Sequence, residues 1–363
     1  MKNVTNMTST VNATSINPAE LTFSNSERVG IGVVFLITSI LAIIGNVMVI
    51  VAVIRSKSLQ TTTNAFVVCL SVANLMTGLS LPWSVVGLLS LEGWPLASEV
   101  PCQLAGLVLL TSIGASLYSL AGIALNRVLI IVASPSTYQW WHMPTKIAGM
   151  ISVAWLLPFL IVLVPPLCNV GKLGYDKNTH ICTDVSQHPR QQDHRLAIAM
   201  VFYLVPMTTV ITSYSLIFQT IRRNFRHQTE QCTATPMQPS DFDWGVGHES
   251  RKARLKQHQH STTVNLFVNV CVFLLLNLPY GIALIIPDNK RIAVFSGMVF
   301  LMHSFVHPLL YGFKHPQFHH AFREMLHLTE DLQPSTGSGY TRNELRQNAR
   351  SDKIIKGLEN SKF

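Results

Sequence analysis

The sequence predicts an all-α membrane protein: a seven-transmembrane-helix bundle followed by a short amphipathic helix. Three observations predict it. The 363-residue chain is 48% hydrophobic and only 12% charged, about half the charge of an ordinary soluble domain and too little to coat so much apolar surface in water. Seven stretches are long and apolar enough to cross roughly 30 Å of hydrocarbon, which takes about 20 helical residues each. The basic residues behind the net charge of +9 lie between and after those stretches, not in one soluble domain, so the charge speaks for membrane topology and against a nucleic-acid partner.

The polar segment 1–28 is an outer tail rich in Ser, Thr and Asn, without the apolar content to fold alone. Its Asn3, Asn6 and Asn12 each open a glycosylation sequon. Within 29–313 the spans fall near 29–54, 62–89, 99–132, 144–167, 195–225, 256–286 and 291–313. Arg55 and Lys57 follow the first span, Arg222, Arg223 and Arg226 the fifth, and Arg251, Lys252, Arg254 and Lys256 precede the sixth. The loop after the second span carries Glu92 and Glu99 and no Lys or Arg. The odd-numbered loops are therefore expected in the cytoplasm and the N-terminus outside. The first span is expected to act as signal anchor, since no leader-type segment opens the chain. Residues 227–250 read as a flexible third cytoplasmic loop. Residues 314–328 read as an amphipathic helix in the interface plane, with Phe318, Phe322, Met325 and Leu326 on one face. Residues 329–363 read as a disordered tail. The two halves show no repeat of the kind transporters often carry.

Polar side chains inside spans are costly and mark function. Here they are Asn46, Asn74, Ser116, Asn126, Arg127, Asn265, Asn269, Asn277, His303 and His307. An arginine closing the third span can snorkel to the headgroups, or it can work where it stands.

Gly45-Asn46 in the first span, Leu70–Leu75 ending in Asn74-Leu75 in the second, Cys102 and Arg127 at the two ends of the third, Trp155 in the fourth, Pro206 and Tyr214 in the fifth, Pro279 in the sixth and His307–Tyr311 in the seventh, followed by Phe318, stand in an order and spacing that resembles the rhodopsin-like (class A) G-protein-coupled receptors. The resemblance runs from about residue 30 to 327. Asn126 before the arginine, and residues 201–214, look like the melatonin-type receptors and related invertebrate orphan receptors.

The resemblance implies a plasma-membrane receptor that binds an extracellular ligand and activates a heterotrimeric G protein, with membrane lipid around it. It implies no enzymatic activity, no cofactor and no metal. Asn126, Arg127, Tyr214 and Tyr311 would serve coupling. Cys102 would pair with Cys182, with Cys168 as the alternative. Pro206, Pro279 and Pro308 would kink their helices, and Leu109, Phe202, Asn277, Tyr280 and Leu301 would line the ligand pocket. Asn46, Asn74, Ser116, Ser304 and His307 would form a neutral polar network, or only steady helix packing.

The chain also departs from the family pattern. Asn126 replaces the acid beside the arginine, and Gln257, His258, Gln259 and His260 stand where many relatives carry another acid. Asn74 and His307 stand at two positions of a sodium site, so no carboxylate compensates a hard cation. Leu276-Asn277-Leu278-Pro279 lacks the usual tryptophan. Leu109 falls where amine receptors place an aspartate, which disfavours an amine, and the absence of Lys between Arg291 and Lys314 excludes a retinal Schiff base. A degenerate non-signalling binding protein and a transporter remain the rival readings.

Overall fold

The computed structural model describes residues 23–90, 92–234, 267, 271–283, 290–314 and 316–326. The predicted glycosylation sites and tail, residues 256–266 of the sixth span, Asn269 and residues 329–363 lie outside them. Six helical runs among the described residues are long and apolar enough to span a membrane.

Helix α1 (Asn25–Arg55) begins at a reciprocal cap: Ser24 accepts from the Glu27 amide and Glu27 from the Ser24 amide, which satisfies two amides that have no partner in the first turn. Helix α2 (Thr62–Leu89) is capped by Thr61. Both predicted limits of the second span, 62–89, coincide with the helix. Helix α3 (Val100–Ile131) carries Pro101 in its first turn, where a missing amide costs nothing. A short helix α4 (Pro135–Trp141), capped by Ser134, leads to α5 (Pro144–Leu167), whose limits also match the predicted fourth span.

An antiparallel hairpin follows. β1 (Leu173–Tyr175) pairs with β2 (Cys182–Asp184), Gly174 opposite Thr183. The fifth span is α6 (Gln191–Ala199), a π turn over Met200–Leu204 and α7 (Val205–Ala234). The helix therefore continues to Ala234, into the segment expected as a flexible loop. Cys271–Ala283 (α8) is the described part of the sixth span. The seventh is α9 (Lys290–Leu301) and α10 (His303–Lys314), with a turn at Met302. Helix α11 spans Pro316–Met325.

Helix α3 is the central strut. It packs against α2, α5, α7 and both hairpin strands, and 83% of its most apolar window is buried against 17% for α5. That burial explains its small residues: a β-carbon on Gly114 would stand 2.6 Å from Pro158 and 2.8 Å from Phe202, and one on Gly122 2.7 Å from Phe66. Cys69 ties three helices, accepting from Ser119 of α3 (3.1 Å) and Trp155 of α5 (3.2 Å). The outward faces carry exposed aliphatics such as Ile37, Ile40, Ile44, Leu156 and Leu160, as lipid-facing surfaces do.

Candidate functional site

The candidate residues fall into three layers: the end of the bundle that carries the hairpin, the middle, and the end that carries Arg127.

At the hairpin end a disulfide joins Cys102 of α3 to Cys182 of β2. Cys168 is a free, exposed thiol. The hairpin is pressed close: a β-carbon on Gly87 would stand 2.7 Å from the His180 carbonyl, and the Cys182 amide donates to Ser84 at 3.1 Å. Glu99 accepts from the Tyr175 amide at 2.9 Å and faces Lys172 at 3.6 Å. Asp176 organises the turn, accepting from the amides of Asn178 (2.7 Å) and Ser186 (2.9 Å). His180 adopts a left-handed backbone conformation (φ 61°), uncommon for a residue with a side chain, and sits 2.6 Å from the Tyr175 hydroxyl. Burial lowers the His180 pKa first and the nearby Arg28 lowers it further, with Asp176 opposing. Burial raises the Tyr175 phenol. Arg28 itself, 3% exposed, donates to the carbonyls of Leu88 (2.9 Å) and Ser90, where the C-terminal dipole of α2 favours a cation.

At the mouth beneath the hairpin, Asp184 pairs with Arg195 and accepts from Gln191 at 3.1 Å. Tyr280 feels both charges and stacks on Phe300, 5.4 Å between centroids and 6° between planes. Tyr118 donates to the Val201 carbonyl at 2.9 Å, a carbonyl within the π turn.

In the middle an aromatic ladder continues from Phe300 to His303 (4.6 Å), Phe273 (5.3 Å from His303) and His307 (6.0 Å from Phe273). Nδ1 of His303 donates to the Phe300 carbonyl at 2.6 Å. Of the expected polar network, Asn46 donates to the Ser304 carbonyl at 2.8 Å. Ser116 instead donates to the Ile113 carbonyl of its own helix and Ser304 to the Leu301 carbonyl across the turn at Met302, and Asn74 and His307 make no direct hydrogen bond among the described residues. The short hydroxyls find a backbone carbonyl three residues back before they reach another side chain. Of the expected pocket residues, Leu109 and Leu301 are each 7% exposed and Asn277 is 2% exposed, with neither amide atom hydrogen-bonded among the described residues. Phe202 is buried and packs against Gly114 of α3, beside Pro158 of α5.

At the other end Asn126 donates to Thr63 of α2 at 2.6 Å. The next residue, Arg127, has no described carboxylate partner, and its Nε is buried without a hydrogen bond among the described residues. The phenols of Tyr214, Tyr138 and Tyr311 lie within electrostatic reach of it. Tyr214 packs with Ala121, Ala124, Val210 and Leu274 and against Phe267 at 5.2 Å. Tyr311 contacts Phe318 at 5.5 Å. Neither the Tyr214 nor the Tyr311 hydroxyl has a partner among the described residues. Beside them His142 stacks on Tyr138 at 3.7 Å, and burial lowers its pKa against the pull of the Tyr138 carbonyl. Gln257 to His260 lie outside the described residues.

The sequence reading missed the Asp184–Arg195 pair, the Tyr175–His180 contact and Phe300. An acid two residues after Cys182 and an arginine at the head of an apolar run were the available signals for the first.

Residues 45–311 match the family model of the 7 transmembrane receptor (rhodopsin family). The chain is 24% identical over 315 residues to protein trapped in endoderm-1 of Drosophila melanogaster, covering 83% of this chain and 79% of that one. It is 27% identical over 332 residues to melatonin receptor type 1B of Rattus norvegicus, covering 83% of each. Squid rhodopsin superposes with a TM-score of 0.69 at 18% identity, covering 83% of this chain and 81% of that one.

Proposed function

The chain belongs to the rhodopsin family of seven-transmembrane receptors, and from that premise we propose that it binds an extracellular ligand beneath the Cys102–Cys182 hairpin and in response activates a heterotrimeric G protein at the Arg127 end. The observation that carries this reading is the state of Arg127: a partly buried guanidinium closing the central helix, with no described carboxylate and with two unpartnered phenols beside it. Snorkelling alone would not gather Tyr214 and Tyr311 from two other spans around one guanidinium. A cavity that opens there presents a five-donor cation to backbone carbonyls of an inserted partner. Ligand binding between the hairpin-side halves of the helices would favour the open form as a population shift.

The disulfide supports an oxidising, extracellular location for the hairpin end. With the basic loops at the opposite end, the chain is a multi-pass plasma-membrane protein with its N-terminus outside.

The ligand is small and neutral. The charges at the mouth, Asp184 and Arg195, compensate each other, and Leu109 supplies no counter-ion for an amine. The unpartnered amide of Asn277 and the rings of Tyr280 and Phe300 offer neutral hydrogen bonds and stacking surface. The names of several relatives make melatonin, a neutral indole amide, the first molecule to try. A panel of G proteins in cells, read with and without candidate ligands, tests the reading. Ligand-dependent nucleotide exchange is expected. Solute flux in liposomes without exchange in any arm would replace it with a transporter, and ligand binding without exchange would make it a non-signalling receptor.

A further inference from the structure

A groove of about 380 Å³ opens on the outside of the bundle, between α3, α5 and the start of the hairpin, away from the mouth. Its wall is aliphatic: Leu104, Leu107, Leu163, Pro166 and Leu167. Leu104 is 55% and Leu167 75% exposed, on helices whose outward faces meet lipid. Its rim is polar and lies at the helix ends, where the bilayer gives way to headgroups.

The rim carries one ammonium, that of Lys172. Nδ1 of His188 accepts two backbone amides, from Gly171 and from Arg190, each at 3.2 Å. That nitrogen is therefore the unprotonated one, and Nε2 carries the proton, 3.4 Å from the Asn169 side-chain oxygen. The Lys172 ammonium stands 3.6 Å from Glu99 and is half exposed, so donor capacity remains. The amides of Gln103 and Asn169 complete the rim. Asn169 and Gly171 both adopt left-handed conformations (φ 58° and 85°), so the turn that holds the rim is tight.

We propose that this groove binds a long-chain fatty acid from the surrounding leaflet, its carboxylate on Lys172 and its chain along Leu104, Leu107, Leu163 and Leu167. The chemistry selects this occupant in three steps. An apolar wall below a polar rim at a helix end fits an amphiphile, whose chain keeps to hydrocarbon while its head meets water. The aliphatic residues line a single cleft between two helices, which one extended acyl chain can follow. The Lys172 ammonium, partly compensated by Glu99, suits a monoanion better than a hydroxyl, which forms no charge-assisted bond, or a doubly charged phosphate, which Glu99 repels more strongly.

The rim is also part of the hairpin. The Lys172 amide donates to Gln191 at 3.0 Å and its carbonyl accepts from Val185 at 2.8 Å. A ligand held by Lys172 therefore stabilises the folded hairpin by mass action.

The test uses the full chain in nanodiscs of zwitterionic phosphatidylcholine, with palmitate as probe. Saturable palmitate binding and a raised melting temperature are expected. Hexadecanol, which has the chain without the carboxylate, should bind at least tenfold more weakly, and lysophosphatidic acid no better than palmitate. Lys172→Gln should weaken palmitate at least tenfold, and Leu104→Trp, which fills the groove from its exposed side, should do the same. Leu156→Trp, on the lipid-facing surface elsewhere, should change nothing. Equal binding of palmitate and hexadecanol to the unaltered chain would overturn the proposal without reliance on any variant. Tighter binding of lysophosphatidic acid would replace the carboxylate by a phosphate. Unchanged palmitate binding in folded Lys172→Gln and Leu104→Trp would reduce it to annular lipid.

Discussion

The two ends of the bundle are held by different means. At the hairpin end a disulfide, the Lys172–Glu99, Arg195–Asp184 and Arg291–Glu27 ion pairs and the buried Arg28 bind the helix ends to each other and to the hairpin. At the Arg127 end the ties between spans are lighter: Asn126 to Thr63, with Tyr214 and Tyr311 packed by their rings while their hydroxyls make no bond among the described residues. No ion pair joins spans there among the described residues. Parts of a protein that must move are drawn from its less stable regions. On the proposed function, the difference divides the work: a frame where a ligand would be received, and freedom where a partner would be met.

The largest effect should come from cutting the frame. Cys102→Ser or Cys182→Ser opens a link between residues 80 apart in sequence, which a chain-entropy model values at about 4–5 kcal/mol. Loss of surface expression is expected, read by antibody labelling of intact cells. Full expression with unchanged ligand binding would show that the noncovalent ties suffice at that end.

Next comes the open end. Arg127→Ala should reduce G-protein activation at least tenfold at unchanged surface level, since no described carboxylate depends on it. A receptor lost from the surface would place Arg127 among the frame residues and erase the contrast between the ends.

Legibility follows the same division. The span limits 62–89 and 144–167 could be read directly because Thr61 and Pro144 mark helix starts by their own chemistry. Asn126 and Arg127 could be singled out because each is a polar group where apolar ones are expected, whereas Tyr214 and Tyr311 were reached only through the family resemblance. The hairpin could not. β1 and β2 have three residues each, too short for an alternation signal, and their pairing depends on Glu99, Ser84 and Cys102 of other segments. The Asp184–Arg195 pair and the Tyr175–His180 contact exist only once that pairing is made. The π turn at Met200–Leu204 has no residue that announces it. Phe202, expected in the ligand pocket, packs against Gly114 of α3, a contact that no single-sequence pattern announces.

Acid should test the frame more gently. His180 has its pKa lowered from 6.5 by burial and by Arg28. A lowered histidine binds fewer protons folded than unfolded, so its contribution is present above about pH 6.5 and is lost as pH falls toward the folded value. In the neutral form the Tyr175 phenol donates to Nδ1 of His180. The melting temperature of the purified chain should fall by a few degrees between pH 7 and pH 5.5, and His180→Gln should flatten that slope. An equal slope in both proteins would assign the acid sensitivity to other groups.

The smallest effect concerns the balance at the open end. Asn126 spends its amide on Thr63 and offers Arg127 no charge. A carboxylate at 126 could accept from the Thr63 hydroxyl and hold the guanidinium as well, through a charge-assisted bond about twice as strong as a neutral one. Each 1.4 kcal/mol added to the closed form lowers the resting share of the open form about tenfold. The natural chain should therefore show ligand-free nucleotide exchange above that of cells without it, and Asn126→Asp should lower that exchange severalfold while ligand-driven signalling persists. Equal basal exchange in the natural chain, in Asn126→Asp and in receptor-free cells would mean that packing around Tyr214 and Tyr311 already holds the end closed, and that its few ties are enough.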